Sequence, residues 1–178
     1  MKTRVARLMK AMIEYDRGDA MRIHHLLKVH DLVATIGRLE NLDEATLEVA
    51  EAAAVVHDIG IHLSERKYGS SNGKYQEKEG PGEARLLLKR VGGYTSEEID
   101  RICYLVGHHH TYSHIDGLDY QILVEADWLV NIYEDGLSQE AVNRVRANIF
   151  KTPTALHLLD ALYGGTPWQA AQLPMEGC

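Results

Sequence analysis

Apolar residues recur at helical spacing from one end of this sequence to the other. No stretch sustains the apolar/polar alternation of a half-buried strand. The expected fold class is therefore all-α. Candidate helices fall at residues 3–15, 20–40, 43–58, 81–91, 96–109, 119–134, 138–150 and 154–163. Their punctuation agrees: Asp43 can cap the third, Thr95 with Glu98 forms a capping box before the fifth, and Ser138 can cap the seventh. Gly60, Gly92-Gly93 and Gly164-Gly165 stand where helices should stop. Residues 62–80, rich in Gly, Ser, Lys and Tyr, read as one long irregular segment, which inside a compact domain is functional or mobile.

A chain of 178 residues is long enough for one continuous core, so a single domain over residues 1–165 is expected, followed by a loosely packed tail, 166–178, that carries two prolines. Nineteen Lys and Arg against 26 Asp and Glu give a net charge of −7, which lacks the basic footprint of a nucleic-acid-polymer binder. No apolar run approaches the ~18 residues of a membrane span, and Met1-Lys2-Thr3-Arg4 leads into a charged amphipathic segment rather than a signal-peptide core. A cytoplasmic location is expected. Cys103 and Cys178 alone cannot build a disulfide framework or a Cys-rich zinc site, whereas ten histidines are present.

Successive helical residues are separated by ~100° around the axis, which assigns each polar residue to a face. In the second helix His25 falls in the apolar arc beside Val29, Leu32 and Ile36, and His30 on the Ile23/Leu27/Ala34 line, while His24 falls outside it with Lys28 and Asp31. An inward histidine is either a hydrogen-bonded core residue or a ligand. The third helix runs through Ala50, Ala52, Ala53 and Ala54 into Val55-Val56-His57-Asp58-Ile59-Gly60. Asp58 at its C-terminal end receives no help from the backbone dipole and wants a cation, unless it is simply solvated. In the sixth helix Asp127 lies on the Tyr120/Leu123/Val124/Val130 line; a carboxylate there needs an arginine, a histidine or a metal. Glu125 points elsewhere and is assigned to the surface. The fifth helix ends in Gly107-His108-His109-His110-Thr111-Tyr112-Ser113-His114, a cluster that either binds metal or phosphate or faces solvent; at most two of its adjacent histidines can share a site.

An inward His, a His-Asp pair followed by Ile-Gly, and a later inward Asp together resemble the HD-domain metal-dependent phosphohydrolase superfamily. The matching positions are His25, His57-Asp58 and Asp127, with Arg22-Ile23-His24-His25 similar to the family's Arg-x-x-His opening and Glu125-Ala126-Asp127 to its closing Ala-Asp. The resemblance covers residues 20–135 and implies an all-α bundle in which the four ligands converge on a divalent metal. It also implies, in many members, a second metal. His108-His109 is similar to the pair that serves it, and Glu79, in Glu77-Lys78-Glu79-Gly80-Pro81, stands where a further histidine is expected. Carboxylate at that position is compatible with Mn, Fe or Mg, and a mononuclear site is the alternative.

The resemblance implies one or two divalent ions drawn from Mn, Fe, Co, Mg, Ni or Zn, and hydrolysis of a phosphomonoester or phosphodiester, a nucleotide for preference, by hydroxide supplied at the metal. His57 and Asp58 are the catalytic candidates, Asp58 also orienting the attacking water. Arg22 and Lys74 are the phosphate-contact candidates, Lys74 having a solvated surface role as its alternative. Residues 62–80 are expected to gate the site. A noncatalytic metal-dependent nucleotide sensor and an HD-type di-iron oxygenase are the competing functions. The expected partner is a small phosphate ester or nucleotide, with no membrane; a homo-oligomer is compatible with the sequence.

Overall fold

A computed structural model describes residues 2–164, among which lie nine α-helices and no strand: α1 Thr3–Tyr15, α2 Ala20–Leu39, α3 Glu44–Val56, α4 Ile61–Tyr68, α5 Gly73–Val91, α6 Ser96–Val106, α7 Leu118–Glu134, α8 Gln139–Asn148 and α9 Pro153–Tyr163. The expected tail from Thr166 lies outside the described residues. None of the described helices is long and apolar enough to cross a membrane.

The third helix is the hub. Ala50, Ala52, Ala53, Ala54 and Val56 are wholly inaccessible, and α1, α2, α6 and α7 all pack on α3. A helix apolar on every side is stable only in the centre of a bundle, and alanine on several faces lets its neighbours come close. Two carboxylates of α3, Glu48 and Glu51, are nevertheless buried. Arg4 of α1 resolves the first, reaching Glu48 at 2.5 Å, Glu98 of α6 at 2.7 Å and the Gly93 carbonyl at 2.7 Å, so one guanidinium ties three parts of the fold together. Arg38 closes the second at 2.8 Å. The inward His30 of α2 also lies 3.8 Å from Glu51, and burial pushes its imidazole toward neutrality.

Helix starts follow the sequence rules. The Asp43 carboxylate accepts from the Ala45 and Thr46 amides, Thr95 and Glu98 form both halves of a capping box, and the Ser138 hydroxyl accepts from the Ala141 amide.

Two expectations are corrected. Residues 62–80 are not an irregular segment: they belong to α4 and α5, separated only by residues 69–72, with Gly69 at φ +64° ending α4 and the Asn72 side chain capping α5. Gly73 and Gly80 read as part of a loop ahead of the helix expected from Pro81, yet both lie inside α5, and Gly80 is there for packing. A Cβ on it would lie 2.8 Å from Val106 Cγ1, and one on Gly60 would lie 2.7 Å from the Gln76 carbonyl oxygen and 2.8 Å from the Gly80 nitrogen. Close approach between the start of α4 and the middle of α5 excludes side chains at these points and outweighs intrinsic propensity. The second correction concerns Glu125, which is fully buried rather than on the surface. Its carboxylate accepts from the Lys151 amide at 2.5 Å, the Thr152 amide at 3.0 Å and the Thr152 hydroxyl at 2.6 Å, fastening the entry to α9 onto α7.

Candidate metal centre

Four side chains meet where α2, α7 and the turn after α3 converge. His25 Nε2 lies 3.1 Å from both His57 Nε2 and Asp127 Oδ1 and 3.7 Å from Asp58 Oδ2. His57 Nε2 lies 3.5 Å from Asp58 Oδ2 and 3.6 Å from Asp127 Oδ1. Burial of His25, His57 and Asp127 follows from their place on inward faces, and Asp58 keeps a partly exposed edge.

The outer nitrogens settle which inner atoms are available. His57 Nδ1 faces the Ala54 carbonyl at 2.8 Å, and a carbonyl can only accept, so Nδ1 carries hydrogen and Nε2 of the neutral ring presents a lone pair. His109, in the turn after α6, repeats the arrangement: its Nδ1 donates to the Val106 carbonyl at 2.8 Å, while its buried Nε2 has no hydrogen-bond partner and lies 3.4 Å from Asp58 Oδ1. His25 Nδ1 faces Glu134 Oε2 at 2.7 Å. Lone pairs directed at carboxylate oxygens repel unless a proton or a cation lies between them.

Protons fill that role in the metal-free chain. Burial opposes charge on His57, but Asp58 and Asp127 overcome it and push the imidazole up to about 9. For His25, too, burial is outweighed, here by the hydrogen bond to Asp127. Burial would raise both carboxyl groups, yet His57 and His109 around Asp58, and His25 and His57 around Asp127, hold them below the usual carboxylate range. A divalent cation would substitute for these protons, and imidazole with carboxylate is a donor set that Mn, Fe, Co, Ni or Zn accepts.

A second group shares Asp58. Donor atoms of Asp58, His109 and His110 lie within 4.8 Å of one another, as do those of His25, His57 and Asp58. Burial pushes the His110 imidazole down to about 4, so the ring is neutral at ordinary pH, and its Nε2 is buried without a partner. A cavity of about 290 Å³ reaches the two groups at His25 and Asp58, its wall also including Arg22, Gln76 and Asn131.

Other candidates lie differently. Arg22 reaches the cavity but is held by Glu65 at 2.6 Å, Asp19 at 3.1 Å and His62 Nδ1 at 3.0 Å. Glu79 is corrected as a candidate ligand: it belongs to neither group and accepts from Lys67 Nζ and Tyr68 Oη, each at 2.6 Å. His108 lies outside both groups, its ring stacked on Tyr104, and His109 and His110 are the adjacent pair that lies with Asp58. Lys74 is exposed on α5, its ammonium 4.8 Å from the Tyr75 ring centre and away from the cavity wall.

The sequence matches the HD domain family over residues 22–145, a span that contains both groups. This chain belongs to the HD domain family. The HD domain here has a fold similar to that in the crystal structure of a predicted HD superfamily hydrolase from an uncultured Thermotogales bacterium, with a TM-score of 0.64, 24% identity, and 89% of this chain and 84% of that chain covered. No curated protein matches it. Sequence reasoning about the HD domain missed His110, Glu134 and Gln76. For His110 the signal was present in the histidine run, but α6 ends at Val106, so helical angles no longer apply to residues 108–110.

Proposed function

We propose that this HD domain is a metal-dependent phosphohydrolase acting on a phosphomonoester or phosphodiester, with nucleotides as the substrate class. The observation that carries the reading is Asp58: one carboxylate stands within 3.7 Å of the inner nitrogens of His25, His57 and His109 and borders an open cavity. His25, His57, Asp58 and Asp127 would hold one ion; Asp58, His109 and His110 would hold a second. Such ions, when bound, polarise phosphoryl oxygen and make water a nucleophile at neutral pH. Two dications set against Asp58 and Asp127 leave two positive charges by addition, enough to attract a phosphate dianion into the cavity. Asp58, the carboxylate ligand with an edge on that cavity, orients the attacking water. Arg22 supplies a donor fork on the same wall for phosphate oxygen, with Asp19, Glu65 and His62 limiting its swing. Gating by residues 62–80 is not retained, since that segment is helical apart from residues 69–72.

Metal analysis of the purified protein, coupled to a nucleotide phosphatase panel with Mn, Co, Mg and Fe, tests the reading. Phosphate release should depend on the ion, disappear in His25→Ala and persist in His24→Ala, whose ring lies on the exposed side of α2. Tight nucleotide binding without release would establish a sensor instead, and iron-dependent oxygen consumption an oxygenase.

A further inference from the structure

Among the buried polar atoms without a hydrogen-bond partner, one outside the metal groups belongs to a residue on the wall of the cavity beside Asp58. Gln76, on α5, is 7% exposed, and its Oε1 is unpartnered, although Gln76 and Asp58 border the same cavity. Its orientation is not interchangeable. The other amide atom lies 2.7 Å from the Ser71 carbonyl, which can only accept, so that atom must be Nε2 and the free atom must be the oxygen. Native proteins rarely leave a buried carbonyl oxygen without a donor or a cation.

The surroundings indicate which. Gly73, one turn before Gln76 on the same face of α5, is so close to His110 that an added Cβ would lie 2.7 Å from its ring. The next residue, Glu77, accepts from the His110 amide at 3.0 Å and the Thr111 hydroxyl at 2.9 Å. This part of α5 is thus fastened to the turn that carries His109 and His110, both of which also have unpartnered, buried Nε2 atoms. Gln76 Oε1 thus borders the cavity shared with Asp58, on a stretch of α5 held against the turn whose His109 and His110 form a group with Asp58; neither the amide oxygen nor the His109 Nε2 lone pair can donate to the other. A cation at this position is the partner that such acceptors lack.

We propose that Gln76 Oε1 is a ligand of the second ion, beside Asp58, His109 and His110, and that this neutral, hard oxygen biases the position toward Mg²⁺ or Mn²⁺ over Zn²⁺. The inference rests on the two-ion reading given above and adds to it the residue that sets ion preference.

Mn²⁺ titration of the intact, metal-stripped protein by calorimetry, with electron paramagnetic resonance counting free ion, is the test. The unsubstituted chain should take two ions. Gln76→Met, similar in length and without an oxygen, should leave the first affinity unchanged and weaken the second on the order of tenfold or more. Gln76→Glu should tighten the second, a change opposite in sign to any that loss of folding produces. Gln76→His should shift the visible d–d absorption of the second equivalent of Co²⁺ and turn that position's preference from Mn²⁺ toward Zn²⁺. Two ions bound with unchanged affinities in all three variants would overturn the assignment of Gln76 while leaving the two-ion reading in place. A titration of the unsubstituted chain that stops at one ion would overturn this inference and leave the His25, His57, Asp58 and Asp127 position standing. None of these readouts involves turnover, so absence of phosphate release would count against the hydrolase reading alone.

Discussion

His25 meets Glu134 Oε2 through Nδ1 at 2.7 Å, and Glu134 is itself paired with Lys28, so a carboxylate outside the ligand group fixes which way the ring faces and raises the basicity of Nε2. Glu134→Gln removes the charge but keeps the shape. It should weaken binding of the first ion by ~10–100-fold in a chelator competition while leaving the helical circular dichroism unchanged. A second consequence follows from protonation. His57 in the metal-free chain is raised from 6.5 to about 9, so the stabilisation that its imidazolium supplies is fully present below pH 6.5 and is lost as pH climbs through about 9. The metal-stripped protein should therefore show a falling Tm across that window, whereas the loaded protein, with a cation in place of the proton, should not. Calorimetric melts of both forms at several pH values check this, and parallel profiles would contradict it. His25 and Asp127 were legible as inward groups because each sits within an uninterrupted helical pattern. Glu125 was not, because its partners are the backbone amides of residues 151 and 152, which carry no side-chain signal.

At the level of elements, the contact between the start of α4 and the middle of α5 positions Gln76 and limits what residues can stand at the crossing. Gly60→Ala would place a methyl group within 2.9 Å of the Gly80 Cα and closer still to the Gln76 carbonyl, all of it backbone that must move as a unit. The expected cost is about 1–3 kcal/mol in urea denaturation. Gly82→Ala should have the opposite sign: nothing lies within 4 Å of its added Cβ, the site is inside α5, and removal of glycine freedom from the unfolded chain should stabilise the protein by ~0.5–1 kcal/mol. The same crossing explains where the sequence was hard to read. Gly73 and Gly80, with the glycine- and serine-rich stretch before them, make the first half of α5 read as a loop, while 81–91 reads as helix; the faces of residues 73–80 could not be assigned. Glu79 stands where the family resemblance expects a histidine, whereas Gln76 is a residue type with no strong chemical signature. Helix caps had no such difficulty, since Asp43, Thr95 and Ser138 each act within three residues of themselves.

On the scale of the whole molecule, the candidate ligands come from α2, the turn after α3, the turn after α6, and α7, so the two ions together would join the hub to three of its neighbours. An ion that binds only the folded chain stabilises it by mass action, by about 2.7 kcal/mol at a concentration a hundredfold above Kd. Stripping it with a chelator should lower the Tm by roughly 5–10 °C for a chain of this size, measured at constant pH, and readdition should restore it. The Arg4 tie among α1, α3 and α6 involves no ligand, so the stripped protein should keep its helical content below that transition. His25 and Asp127, 3.1 Å apart in space, are separated by 102 positions along the chain. Closing so long a span is slow and costly in entropy, which places completion of the ion's cage after most of the helical core has assembled. The ion's grip is then absent when the folding barrier is crossed and present only afterwards. Metal loading should slow spontaneous unfolding and leave the refolding rate nearly untouched, which makes the ion a determinant of how long each folded copy survives protease attack.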